Sequence, residues 1–150
     1  METETWWEQA HNVALVRIDS VGVGFQPPFS AGPCVKGEPC VQRQVGKFAL
    51  IETFKGSLGE TPILSSGYGS GDCGIPLVAG AFYVVFLNGT DGEIGFCNAA
   101  GPYPMRNANG GIYPIQIEPF VVSLRKAARN PKLKVAPRPK PMTYDSLGGV

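Results

Sequence analysis

The sequence predicts a single all-β domain with one packing helix towards its C-terminal end. Three observations point there. Glycine and proline are abundant, 20 and 14 of 150 residues, which suits many short strands and turns better than long helices. Five short apolar segments are each bounded by turn residues. Only one later stretch, Ile117 to Arg129, carries apolar residues at helical spacing. At this length, 43% apolar residues is enough for one domain to bury its own core. No apolar run approaches the roughly 18 residues of a membrane-spanning helix.

Glu4 to Asn12 reads as a short helical entry with Trp6, Trp7 and Ala10 on its apolar side. Val13 to Phe25 is a long first strand, and Gly22 and Gly24 within it mark an expected bend or bulge. Gln26 to Gln42 contains Pro27, Pro28, Pro33 and Pro39 and reads as a loop holding Cys34 and Cys40. Val45 to Phe54 is the second strand, ended by Lys55-Gly56, and Pro62 to Ser65 the short third. Gly67 to Gly74 is a glycine-rich loop able to reach positive φ.

Ala81 to Leu87, apolar at every position, is a fourth strand covered on both faces. Asn88-Gly89-Thr90-Asp91-Gly92 reads as a hairpin turn, Glu93 to Cys97 as the fifth strand and Gly101 to Pro114 as a loop. In the helix, Phe120, Leu124 and Ala128 share a face, Pro119 suits the first turn, and Asn130-Pro131 ends it. The domain then spans 1–130. The segment 131–150, with Pro137, Pro139 and Pro141, reads as an extended, weakly ordered, flexible tail. Its removal is expected to leave the fold intact.

Charge is unevenly spread. Arg125, Lys126, Arg129, Lys132, Lys134, Arg138 and Lys140 make up seven of the 13 basic residues, with no carboxylate among them. Before Leu124 there are eleven acidic residues against six basic ones. A solvated helix face accounts for the first three of the seven. The further run to Lys140 suits an electrostatic contact with a polyanion. For Trp6 and Trp7, adjacent on one segment, packing over the core is the favoured reading, and contact of one exposed ring with a protein partner is the alternative.

Catalytic constellations are poorly served. His11 is the single histidine, so any Ser-His-Asp or Cys-His arrangement must use it, and no nucleophile motif accompanies it. Asp72, Asp91 and Glu93 lie in or beside turns, where solvated carboxylates are routine. Gly67-Tyr68-Gly69-Ser70-Gly71 lacks the Lys-Ser/Thr of a phosphate-binding loop, so no nucleotide or other cofactor is expected. Asn88-Gly89-Thr90 fits a glycosylation sequon, but a hairpin explains Asn-Gly equally.

The chain has four cysteines. Neither Cys34 and Cys40 nor Cys73 and Cys97 has zinc-knuckle spacing, which favours disulfides over a metal site and so an oxidising compartment. Met1-Glu2-Thr3-Glu4 has neither the basic start nor the apolar stretch of a signal peptide. The expectation is a mature domain, secreted or held in the periplasm or cell envelope, without its leader.

One ordered set of motifs adds to this reading. Phe54-Lys55-Gly56 is followed by Asp72-Cys73-Gly74-Ile75-Pro76-Leu77, then by Ala79-Gly80-Ala81-Phe82-Tyr83-Val84-Val85-Phe86-Leu87, and last by Gly95-Phe96-Cys97. The order resembles the netrin-like module, shared by tissue inhibitors of metalloproteinases, netrin and complement C-terminal domains and bacterial relatives, over roughly residues 13 to 130. The resemblance implies a five-stranded OB-fold Greek-key barrel and a protein that binds proteins or polyanions without being an enzyme. The inhibitor branch chelates the protease zinc through an N-terminal Cys-x-Cys. Here no cysteine precedes Cys34, so inhibition would have to use other loops.

On the family's geometry Cys73 and Cys97 would bond to one another, leaving Cys34 and Cys40 as a local staple; four cysteines allow three pairings. Netrin-type modules often carry basic C-termini that bind heparin-like polymers, in the same general region as the basic run here. OB barrels also bind single-stranded nucleic acid on aromatic platforms. Phe48 and Phe54 are available for that, but their strands carry little positive charge.

Overall fold

The structure is a computed structural model and describes residues 3–26, 34–59, 61–68, 73–89, 91–104 and 117–141. Its elements are α1 (Thr3–Gln9), β1 (Asn12–Gln26), β2 (Val41–Lys55), β3 (Leu64–Ser66), β4 (Phe82–Leu87), β5 (Ala99–Tyr103) and α2 (Glu118–Arg129). The five strands form one antiparallel sheet in the order β3-β2-β1-β4-β5. The mostly-β class and the late helix match the sequence reading. The closed barrel does not. β3 is three residues long and meets the segment before β5 at one parallel bridge, Ser65–Glu93. There the Ser65 N–H donates to the Gly92 carbonyl and the Ile94 N–H to the Ser65 carbonyl, both at 2.8 Å.

Two cores lie on the two faces of the sheet, and period-two alternation sorts side chains between them. Val13 and Leu15 of β1 join Phe82, Val84 and Phe86 of β4 on the face covered by α1 and α2. Ala14, Val16 and Ile18 join Tyr83, Val85 and Leu87 on the other face, under Leu58, Leu64, Ile75 and Leu77. β4 is buried at every position because both faces are covered. α2 turns Phe120, Val121, Leu124 and Ala127 inward. The buried alanine is thus Ala127, with Ala128 exposed.

Three element readings need correction. The fifth strand is Ala99–Tyr103, not Glu93–Cys97. Its Ala-Ala-Gly-Pro-Tyr sequence hid it, yet proline is tolerated on an edge strand. The Gly101–Pro102 bond is cis, and Gly101 has φ +140° against the Tyr83 ring, where a Cβ would sit 2.7 Å away. Second, Gly22 and Gly24 do not bend β1. The register shifts fall at Val13/Ala14, Leu15/Val16 and Ile18/Ser20, whereas Gly22 and Gly24 pair regularly with Val45 and Arg43. Gly24 is small because a Cβ there would lie 2.7 Å from a Val45 methyl. Third, β2 starts at Val41 because it follows β1 out to Gln26. Lys55-Gly56 does end it: Gly56 has φ +66°, and a side chain there would strike the His11 carbonyl.

Candidate binding surface

Burial of one face of α2 turns its basic residues outward at the helix C-terminus, where cations complement the helix dipole. Arg125 does not stay available. Its Nε and Nη2 donate to the two carboxylate oxygens of Glu52 on β2, each at 2.7 Å, clamping the helix to the sheet. Lys126 and Arg129 remain exposed.

The chain leaves α2 at Asn130, whose extended backbone stops the helix while its N–H still donates to the Lys126 carbonyl. The segment 131–141 is largely extended, as its prolines imply, but it is tied down along its length. Val135 is buried, and the Ala136 N–H donates to Ser123 Oγ at 3.0 Å. The Tyr103 hydroxyl donates to the Pro139 carbonyl at 2.8 Å. The Arg138 N–H donates to Thr3 Oγ1, its guanidinium lies 4.8 Å from the Trp6 ring centroid, and its Nη1 donates to the Phe96 carbonyl at 2.9 Å. This part of the expected loose tail is a strap across α1 and β5. Residues 142–150 lie outside the described residues.

Of the seven predicted basic residues, Arg125 and Arg138 therefore serve the fold. Lys126, Arg129, Lys132, Lys134 and Lys140 are exposed and make no ion pair among the described residues. Sequence reasoning found the group but could not separate its members. The partners of the two arginines are Glu52, 73 residues away, and Trp6.

The adjacent tryptophans are both buried, 4% and 9% exposed, so neither ring is offered to a partner. Trp6 packs edge-on against Phe86 beneath Arg138, and Trp7 lies beneath the Lys55 ammonium. Both belong to the core that α1 and α2 cover. Tyr103 beside the strap and Tyr83 beneath the Pro76–Val78 loop have phenols pushed well above the ordinary range. Burial dominates in both; Arg138 opposes it at Tyr103, and the Val78 N–H opposes it at Tyr83.

Cys34 and Cys40 form a disulfide, with Cα atoms 5.8 Å apart. The implied Cys73–Cys97 bond is not formed. Their loops do meet, through main chain: the Phe96 N–H donates to the Cys73 carbonyl at 3.1 Å, and Gly95 faces the Cys73 Cβ. Cys97 lies instead in a cleft of about 220 Å³ beside Trp6, Ala10 and Phe86, whose lining does not include Cys73.

His11 Nδ1 donates to the Asn88 carbonyl at 2.7 Å, pinning the start of β1 to the end of β4. Asp91 accepts from the Glu93 N–H, and Glu93 pairs with the buried Arg43 at 3.0 Å. Asp72, Thr90 and Gly69 to Gly71 lie outside the described residues. Among the described residues no group of three or more His, Cys, Asp or Glu side chains is placed to hold a metal ion, and no helix is long and apolar enough to cross a membrane.

A second exposed feature escaped the sequence reading. Beyond Ile18, β1 leaves β4 and continues with β2 as an arm, on which Val21, Val23 and Phe25 are 39%, 59% and 67% exposed. Their spacing of two residues was the available signal, since it puts all three on one face of a strand. The sequence matches no protein-family model and no curated protein.

Proposed function

We propose that this protein is a non-enzymatic, exported binding module whose C-terminal surface holds an anionic polymer of the heparin type. The observation that carries this reading is the set of five exposed cations, Lys126, Arg129, Lys132, Lys134 and Lys140, on the end of α2 and on a strap that holds them to one body. Fixed charges bind a polyanion with less ordering loss than a loose tail would. The Cys34–Cys40 disulfide is compatible with export. The netrin-like resemblance of the sequence supports the same reading. A protein partner is the second reading, favoured by the exposed Val21, Val23 and Phe25.

The test is a triple charge reversal, Lys132→Glu, Lys134→Glu and Lys140→Glu, on exposed positions outside the strap's anchoring contacts. Counterion release makes polyanion affinity fall log-linearly with salt, and losing three contacts should lower the slope by about 2 to 3. The variant should leave a heparin column at much lower salt with an unchanged melting temperature. Equal retention of both forms at every salt concentration overturns the proposal.

A further inference from the structure

We propose that the cleft between the strap and the start of β5 binds a small carboxylate carried on a flat apolar body, with Arg138 and Lys140 holding the charge. The inference does not rest on the polyanion reading. The cleft has a volume of about 250 Å³, and Ile75, Phe96 and Ala99 line it together with the strap residues Arg138 to Pro141. Among the described residues two cations line it and no acidic residue does.

Arg138 has one edge in use and one to offer. Its Nη1 donates to the Phe96 carbonyl at 2.9 Å and to the Ala99 carbonyl at 3.4 Å, and its guanidinium lies over Trp6. Nε and Nη2 donate to no acceptor among the described residues. Those two nitrogens form the edge that takes both oxygens of a carboxylate, and Arg125 uses the same edge to hold Glu52. Arg138 therefore keeps, at the cleft, the donor pair that Arg125 has already committed. Lys140 adds a second cation that no ion pair neutralises among the described residues.

The rest of the lining is apolar and held in place. Ile75 and Ala99 are buried. Phe96 is fixed through both of its main-chain groups, by its N–H to the Cys73 carbonyl and by its carbonyl to Arg138, yet the residue is 50% exposed. Pro139 and Pro141 stiffen the strap, and the Tyr103 hydroxyl holds the Pro139 carbonyl. Walls set in advance spare a ligand much of the ordering loss. The volume lies below the roughly 300 to 1,000 Å³ of sites for drug-sized molecules, which suits an occupant of about 10 to 15 heavy atoms.

The probe is cinnamate, titrated into the full chain at constant ionic strength and followed by backbone amide shifts. Phe96, Ala99, Gly101, Arg138 and Lys140 should shift together and saturate, with half-saturation on the order of 1 mM. Cinnamamide keeps the ring and loses the charge, so it should bind at least about tenfold more weakly. Acetate keeps the charge without the ring and should shift none of them. Replacing Arg138 would also loosen the strap, so the charge is varied on the ligand and at Lys140. Lys140→Gln should weaken cinnamate about threefold and leave cinnamamide unchanged.

Phe96→Ala should weaken both ring compounds about fivefold. Because Phe96 is half exposed, the melting temperature should hold. Equal affinity for the acid and the amide, or cinnamate binding untouched by Phe96→Ala, overturns the proposal. Cinnamate that shifts only Lys126, Arg129, Lys132 and Lys134 has met the polyanion surface alone, and also overturns it. Heparin retention of Phe96→Ala should equal that of wild type, so the two proposals fail separately.

Discussion

The two halves of β1 share one strand and one neighbour in β2, yet they stand in opposite surroundings. From Val13 to Ile18 the strand has β2 on one edge and β4 on the other, with a core on each face, and Leu15 and Val16 are fully buried. From Ser20 to Phe25 the strand has β2 alone beside it among the described residues, and Val23 and Phe25 are 59% and 67% exposed. The difference comes from the short partner. β4 is six residues long and β1 is 15, so β4 covers less than half of the strand. An apolar alternation specifies a strand, while its burial is decided by the lengths of elements elsewhere in the chain.

The comparison breaks most visibly under equivalent truncations in the two halves. Leu15→Ala should cost about 2 to 5 kcal/mol, because it opens a cavity between packed layers. Val23→Ala should stay within about 0.5 kcal/mol, as exposed positions do. Urea melts of the two variants check this, and comparable losses would mean that something covers the arm.

The covered half depends further on the strap, since Val13, Leu15 and Val135 lie in one core. Stopping the chain after Asn130 removes Val135 from that core, along with the bonds from Tyr103 to Pro139 and from Ala136 to Ser123. That should destabilise the fold by about 3 to 4 kcal/mol, counting one buried valine and two hydrogen bonds. The sequence alone suggested no loss. An unchanged denaturant midpoint for the truncated chain would restore the loose-tail picture.

A gentler probe of the same half is alkaline pH. Tyr83 pairs with Val16 and Tyr103 with Phe82, and burial raises both phenols above their ordinary value of 10.0. In the unfolded chain these groups ionise near pH 10, while in the folded protein they resist. Their contribution to stability is therefore whole below about pH 10 and is lost as pH rises beyond it. Denaturant midpoints should be flat up to about pH 9.5 and then fall, less steeply in Tyr103→Phe. A flat profile to about pH 11 would mean that neither phenol is buried.

Periodicity and turn residues made α1, β1, β2, β4 and α2 legible, because each carries its own signal over six or more residues. β5 was not legible, since Ala99 to Tyr103 contains a Gly-Pro pair and becomes a strand only by lying beside Phe82 to Val85. The basic group was legible as a composition, but its division was not. Glu52 takes Arg125 and Trp6 takes Arg138 through contacts that no local pattern encodes. The cysteines divide the same way. Cys34 and Cys40 close a loop between strands that are already paired, whereas the relation of Cys73 to Cys97 depends on how two separate loops meet.

The hydrogen bond from Arg138 to Thr3 joins residues 135 positions apart, and this bears on how the molecule is made. As the chain emerges during synthesis, α1, β1 and β4 can assemble long before the strap exists, but Trp6 waits for its guanidinium cover until residue 138 has appeared. Because the entropy of closing a loop grows only with the logarithm of its length, the wait adds little to the thermodynamic cost. It adds time instead, during which an aromatic surface stands open on the nascent chain. Transiently exposed apolar surface of this kind is what makes incomplete chains prone to aggregate.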